Sequence, residues 1–363
     1  MNFTISIFGD FAKFRYGKMP KKSSIKENGK YPIYSGYRYV GYCDEYNTEA
    51  NQLIIVARGV GGTGDVKLTR EKCYLTNLSI SAEIDSNVAI PQYLYYYFSM
   101  RNLRYLDSGS AQSQITISDL EKVRIPLPNI ESQKKIVHCL SLTDNKISAN
   151  ESINNNLEQQ AQAIFKSWFI DFEPFSNRKP SEWSVSTLGN VSIMGAGGDK
   201  PQNVSPIKTD LYEYPIYSNG LSNEGLYGFT DKPKISEESV TVSARGTIGF
   251  VCLRHIPYVP IVRLVTLIPK TEIISAKYLY LWLKQLHITG TGTTQQQLTV
   301  PDFQKTEILV PSQEIVTLFT ATVEPIFEKI WFNQNENEKL SSLRDTLLPK
   351  LMTGELDVSD TEI

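Results

Sequence analysis

Apolar and polar positions fall into two alternating regimes along the chain. In the first, short β-like runs such as Leu53-Ile54-Ile55-Val56 and Val240-Thr241-Val242 are separated by turns rich in Tyr, Gly and Pro. Short apolar helices are predicted over Tyr93 to Met100 and Tyr278 to Leu286, with further helix starts at Asp119 and Asp302. In the second regime apolar or small residues alternate at spacings of four and three, the period of a heptad seam. One such seam runs Ile136, Leu140, Thr143, Ile147, then Leu157, Ala161, Ile164 and Trp168. The other runs Phe319, Val323, Ile326, Ile330, then Leu340 and Leu347. Asn150 and Asn154 keep the first seam in phase, as Asn333 and Asn337 keep the second, and a buried Asn fixes register at some cost in stability. Pro126, Pro128 and Pro311 precede the seams, and Pro325 predicts a kink or a late start in the second.

A helix of forty residues spans about 60 Å at 1.5 Å per residue, more than one small domain buries. Two such helices lying against each other fit better than two surface helices each packed on its own domain.

The two regimes occur twice because the sequence repeats itself. Tyr31-Pro32-Ile33-Tyr34-Ser35 returns as Tyr214-Pro215-Ile216-Tyr217-Ser218, and Ala57-Arg58-Gly59 as Ala244-Arg245-Gly246. Tyr93-Leu94-Tyr95 returns as Tyr278-Leu279-Tyr280, and Ile125-Pro126-Leu127-Pro128 matches Ile308-Leu309-Val310-Pro311. The polar stretch Gly109 to Thr116 aligns with Gly292 to Thr299, placing Gln112 and Gln114 opposite Gln295 and Gln297. Ordered matches at nearly one offset mean a tandem duplication. Its parts divide at 1–130, 131–175, 176–311 and 312–355, with a tail at 356–363.

Composition adds a class and charge adds a direction. The chain has 363 residues, with 41% hydrophobic and 21% charged, the balance of a folded globular protein of two domains. No apolar run is long enough to cross a membrane, and no signal peptide opens the sequence. Cys43, Cys73, Cys139 and Cys252 are widely spaced, which suits a reducing cytoplasm and disfavours a disulfide framework. Net charge is −2. Split by segment, it is +4 over 1–130 and +2 over 176–311, against −2 over 131–175 and −6 over 312–363. Within the first part Lys13, Arg15, Lys18, Lys21, Lys22, Lys26 and Lys30 are opposed locally only by Glu27. Such a run contacts phosphates, where released counterions favour binding, or forms a solvated face.

The sharpest chemical lookalike, Gly59-Val60-Gly61-Gly62-Thr63-Gly64, is a hairpin or loop. A dinucleotide site needs a helix to follow, whereas Asp65-Val66-Lys67-Leu68-Thr69 alternates like a strand. The second copy, Gly246-Thr247-Ile248-Gly249-Phe250, loses the fingerprint. The shared Ala-Arg-Gly is more informative. Arg58 and Arg245 each stand beside a turn glycine, Gly59 or Gly246, with Thr247 following the latter. Each could pair with guanine, clamp a phosphate, or tie its loop to nearby carbonyls. Gln112, Gln114, Gln295 and Gln297 suit base edges, or equally a polar turn. Ser35, Ser218 and Asn219, at the end of the repeated Tyr-Pro-Ile-Tyr run, complete the candidate DNA contacts. No catalytic constellation is present: His138, His255 and His287 have no ligand at metal spacing, and no nucleophile elbow, P-loop or methyltransferase motif occurs.

Two Tyr/Gly-rich parts, each followed by a proline stop and a long heptad helix, resemble the specificity subunit of type I restriction–modification systems. Leu347-Leu348-Pro349-Lys350-Leu351-Met352-Thr353-Gly354-Glu355-Leu356 is similar to that family's ending, Trp183 to Gly189 to the opening of its recognition domains, and Ala244 to Gly249 to its recurrent loop. The first half departs in lacking that Trp and in its extra loop glycines.

The resemblance implies an α+β chain of two tandem-duplicated α/β target recognition domains, separated by two long antiparallel coiled-coil helices. Each domain would read half of a bipartite asymmetric sequence in double-stranded DNA, with the helices as spacer. Ile136, Leu140, Ile147, Leu157, Ile164, Trp168, Val323, Ile326, Ile330, Leu340 and Leu347 would dock two modification subunits and the restriction subunits. The chain itself would be noncatalytic and bind no cofactor or metal, since S-adenosylmethionine, ATP and Mg would belong to its partners. A duplicated coiled-coil scaffold or carbohydrate-type binding module is the alternative.

Overall fold

The computed structural model describes residues 1–36, 38–59, 62–107, 114–290 and 297–359. They form two compact units. Unit 1 comprises Met1–Asn150 with Asn335–Ile363, and unit 2 is the continuous stretch Glu151–Gln334. The divisions therefore fall inside the two long helices, Ile130–Phe169 and Gln313–Thr353.

Each unit contains the same three antiparallel-rich sheets. In unit 1 a four-stranded sheet orders Ala12–Tyr16, Ser79–Ile84, Leu53–Val56 and Val66–Leu68. Unit 2 repeats it with Ser192–Ala196, Val265–Pro269, Ser239–Val242 and Val251–Arg254. A three-stranded sheet is centred on the repeated Tyr-Pro-Ile-Tyr strand, Tyr31–Ser35 or Tyr214–Tyr217. A two-stranded pair, Thr4–Ile7 with Arg124–Leu127 or Ser184–Thr187 with Glu307–Val310, leads into the long helix that follows. Leu53 to Val56 and Ser239 to Val242 are buried on both faces, which is why they read as continuous apolar or β-branched runs rather than alternating ones.

The short helices Pro91–Met100 and Ala276–Gln285 close one face of each four-stranded sheet, burying Tyr93, Leu94 and Phe98 or Tyr278, Leu279 and Leu281. Ile117–Leu120 and Val300–Phe303 begin two residues before the starts expected at Asp119 and Asp302, which fall in their first turns. Thr116 and Thr299 cap their first turns, and Asp119 returns the bond to the Thr116 N–H.

Within each unit the long helices pack antiparallel. In unit 1 Asp144 accepts a charged hydrogen bond from Arg344 at 2.9 Å, and Asn150 Nδ2 donates to Asn337 Oδ1 at 2.8 Å. In unit 2 Asn333 Nδ2 donates to Asn154 Oδ1 at 2.8 Å. Asn150 and Asn333 are each 1% exposed. The two pairs are one contact made twice, since an offset of 183 turns either into the other.

Pro325 neither kinks the second helix into two pieces nor delays its start, contrary to the sequence expectation. The helix begins at Gln313 and runs unbroken to Thr353. Val323 and Phe327 flank the proline and are buried in unit 2, so tertiary packing outweighs the one lost backbone bond.

The seam also lies deeper than a docking face would. Ile136, Leu140 and Val323 are fully buried in the cores of their own units and offer no surface. Ile147, Leu157, Ile164, Trp168, Ile326, Ile330, Leu340 and Leu347 are half-buried. Leu142, Ile153, Leu318, Phe332 and Leu343 are the large apolar side chains that the helices expose.

Candidate nucleic-acid interface

The two Ala-Arg-Gly segments sit at the tips of equivalent hairpins, after strands Leu53–Val56 and Ser239–Val242. Each hairpin tip takes the polar Gln segment as a short added strand. Ala57 O accepts from Ile115 N at 2.9 Å, and Ala244 O accepts from Leu298 N at 3.0 Å. Arg58 thereby stands opposite Gln114 in an antiparallel bridge. In unit 2 the Arg245 guanidinium donates to Gln297 Oε1 at 3.2 Å. Residues read separately from the sequence are thus brought together as an Arg–Gln pair in each unit. Gln112 and Gln295 lie outside the described residues.

The end of the Tyr-Pro-Ile-Tyr strand completes each cluster. In unit 1 Gly36, at φ +62°, lies against Arg58, where an added Cβ would meet Arg58 O at 3.6 Å. Ser35 Oγ accepts from the Thr76 hydroxyl at 3.1 Å. In unit 2 Asn219 occupies the Gly36 position. Its Oδ1 accepts the Ala244 N–H at 2.7 Å and its Nδ2 donates to Val262 O at 2.6 Å. Asn219 therefore holds two loops together through both ends of its amide. Ser218 joins the turn through its backbone N–H to Gly225 O at 2.8 Å.

The Arg245 loop is stiffened from within. The Ser243 hydroxyl donates to Thr247 O and accepts from Phe250 N at 2.9 Å, so Thr247 is held by its carbonyl while its side chain stays exposed. Gly246 stands at φ +69° in open space. The counterpart loop is longer and closed differently, with the Thr63 hydroxyl donating to Gly59 O at 3.1 Å. Arg245 is exposed, whereas Arg58 is half-buried with its Nε unpartnered among the described residues. An orphaned guanidinium N–H under cover is a donor available to an incoming acceptor.

The lysine run of unit 1 is less one-sided than its sequence. Arg15 approaches Glu83 at 3.5 Å across the sheet, and Lys26 pairs with Asp44. The Lys26 ammonium holds the Asp44 carboxyl below the usual carboxylate range. Lys18 joins the Arg58 cluster through its backbone, donating to Leu75 O at 3.0 Å beside the Thr76–Leu78 turn. Lys13, Arg15, Lys21 and Lys22 are exposed, and no hydrogen bond among the described residues ties them to the Arg58 loop. Among the described residues no group of three or more His, Cys, Asp or Glu could hold a metal ion. No described helix is long and apolar enough to cross a membrane.

A duplicated α+β chain with two long helices is the class that the fold defines. The family model for the type I restriction modification DNA specificity domain matches residues 2–159 and again 180–342, and the chain belongs to that family. It is similar to the MjaIX type I restriction enzyme specificity subunit of Methanocaldococcus jannaschii, at 28% identity over 78% of this chain and 73% of that one. Its identity to the HindI type I restriction enzyme specificity subunit of Haemophilus influenzae is 27%, over 76% of this chain and 79% of that one. The fold matches the crystal structure of the type I restriction–modification system S subunit from M. genitalium with a TM-score of 0.66 at 21% identity, covering 96% of each chain.

Proposed function

We propose that this chain gives a type I restriction–modification assembly its DNA sequence specificity and catalyses nothing itself. Each unit reads one half of a bipartite, asymmetric target in double-stranded DNA. The observation that carries this reading is the Arg–Gln pair built on the same hairpin tip in both units, Arg58 with Gln114 and Arg245 with Gln297. An arginine fork suits guanine or phosphate, and a glutamine amide suits adenine. Lys13, Arg15, Lys18, Lys21 and Lys22 grip the backbone beside unit 1, with Ser35, Gly59, Gln112, Ser218, Gly246, Thr247 and Gln295 on the surrounding loops.

The long helices set the spacing of the half-sites. Their exposed apolar positions, Leu142, Ile153, Leu318, Phe332 and Leu343, receive two modification subunits and the restriction subunits. S-adenosylmethionine, ATP and Mg belong to those partners, in the cytoplasm.

An adenine-methylation map of the host genome, with the gene intact and deleted, tests the reading. One bipartite motif with a fixed gap should lose methylation on deletion. Identical maps from a host whose methyltransferase is active would sink it. Arg58→Ala and Arg245→Ala should each relax one half-site only, by about 1–3 kcal/mol if the contact is bidentate.

A further inference from the structure

Unit 2 lacks a lysine run, yet its Arg245 loop is tied to a second arginine that no motif marks. The Asn219 amide bridges the Ala244 N–H and Val262 O, so the residues after each, Arg245 and Arg263, belong to loops held by one side chain. Arg263 is exposed, and its guanidinium has no hydrogen bond or ion pair among the described residues. Val262 and Arg263 both stand in the left-handed region, at φ 52° and 60°. Two successive non-glycine residues there are strained, and such strain persists only where the surroundings over-determine it.

The surroundings do so here. Val262 N donates to Gly198 O at 2.9 Å and Arg263 N to Gly197 O at 2.8 Å. Gly197 admits no side chain, because a Cβ would stand 2.7 Å from the Ile261 backbone N and O. The Lys234 ammonium stands 3.7 Å from where a Gly198 Cβ would be, adding a second positive charge, and Asp199 is the acidic neighbour.

Unit 1 shows what the same turn looks like without this device. Val265 pairs with Ala196 as Ile80 pairs with Tyr16, which sets Val262 and Arg263 opposite Asn77 and Leu78. Leu78 O there accepts both Ala57 N and Arg58 N, at 2.9 and 3.2 Å, doing by backbone what Asn219 does by side chain. The turn is uncharged and unstrained, and the adjacent positive charge is Lys18.

We infer that Arg263 is a DNA-backbone contact of unit 2, and that Asn219 is the positioning residue that sets it beside Arg245. The inference rests on the DNA reading proposed above and adds a phosphate grip to it.

The full-length chain, purified with the subunits that accompany it, would be titrated over a salt series against two duplexes. One carries the sequence revealed by methylation mapping, and the other is scrambled. Arg263→Ala should reduce the salt slope by about 1 and weaken both duplexes by a similar factor. Arg263→Lys should keep the slope, and thermal unfolding should not move, since the side chain has no partner among the described residues. Asn219→Ala should lower the slope in the wild-type background and leave it unchanged where Arg263 is already alanine. A wild type that prefers its own duplex while Arg263→Ala keeps the full slope overturns the contact but not the DNA reading. Additive slopes in the double variant overturn the role of Asn219. A wild type indifferent to sequence and salt overturns the DNA reading and this inference with it.

Discussion

The two units share every sheet order and the same backbone bond from the Gln segment to the Ala-Arg-Gly carbonyl, yet they solve two problems differently. Unit 1 joins its helices to its sheets with aliphatic side chains, among them Ile136, Leu140, Leu351 and Met352. Unit 2 uses aromatics: Phe165, Phe169 and Tyr278 each pack on the Phe319 ring with centroids 4.9–6.3 Å apart. Charge is distributed just as differently. Unit 1 draws positive charge from one continuous stretch, whereas unit 2 assembles Lys234, Arg245 and Arg263 from separate loops. The lesson is that the duplication preserved backbone geometry and left side chains free to diverge.

The sharpest way to break the comparison is to cut the chain at Gln334. Leu348, Leu351, Met352 and Val358 belong to the core of unit 1, and Lys135 donates to Ser359 O at 2.6 Å. Removing 335–363 should unfold unit 1 and spare unit 2. All four tryptophans (Trp168, Trp183, Trp282 and Trp331) lie in unit 2, while buried Cys43 and Cys73 lie in unit 1. We therefore expect an unchanged tryptophan emission alongside rapid labelling of Cys43 and Cys73 by a thiol reagent. Protected thiols would show unit 1 to be complete without its C-terminal part.

Next in size is the aromatic hub. Phe319→Ala should cost unit 2 about 3–5 kcal/mol, seen as a lower denaturant midpoint of tryptophan emission. Its counterpart Ile136→Ala should cost unit 1 about 2–5 kcal/mol and leave that emission midpoint where it was. A shift of both midpoints by either variant would show the units unfolding as one.

The asparagine pairs should behave alike. Asn150→Ala and Asn333→Ala each strand a partner amide, and each should cost about 1–3 kcal/mol in its own unit. Unequal losses would mean that Glu336, which also accepts from Asn150 at 2.7 Å, carries most of the unit 1 contact.

The smallest effect is the pH dependence that Glu158 gives unit 2. Burial would raise the Glu158 carboxyl, but donors from Tyr280 at 2.6 Å and Lys284 at 3.0 Å outweigh it and hold the group below its ordinary value. A depressed carboxyl contributes stability above its unfolded pKa and loses it as pH falls through the folded one. Glu158→Gln should thus cost at most about 1 kcal/mol at pH 7. The gap from wild type should close as pH drops below about 4.3, the ordinary glutamate value. A gap constant down to pH 3 would assign the loss to packing.

The repeat made most of the fold legible, because strands buried on both faces and heptad helices write themselves into hydrophobic spacing. Periodicity names the apolar face of a helix but not what covers it. Ile136, Leu140 and Val323 face their own sheets and cores, so the seam was read as a surface. Pro325 misled for a related reason: local propensity carries no knowledge of the buried Val323 and Phe327 beside it. At the site, Arg58, Gln114, Arg245 and Gln297 were visible because both copies keep them. Asn219 was visible by position, although its amide serves the loops. Arg263 was hidden, since its counterpart is Leu78 and a search for shared residues discards it. Through-space neutralisation of Arg15 by Glu83 and of Lys26 by Asp44 was equally invisible to a count along the chain.

Unit 1 takes its material from both ends of the sequence, and synthesis on the ribosome runs in one direction. The stretch from Asn335 onward, made after unit 2, is the one that completes the unit begun before it. The N-terminal unit therefore matures after the C-terminal one. Until Leu351 and Met352 emerge, the nascent chain carries an open apolar face that Ile136 and Leu140 would otherwise share with them. That interval exposes unit 1 to chaperones and proteases, and a stalled or prematurely ended transcript leaves an unfinished unit that cellular quality control can recognise and remove.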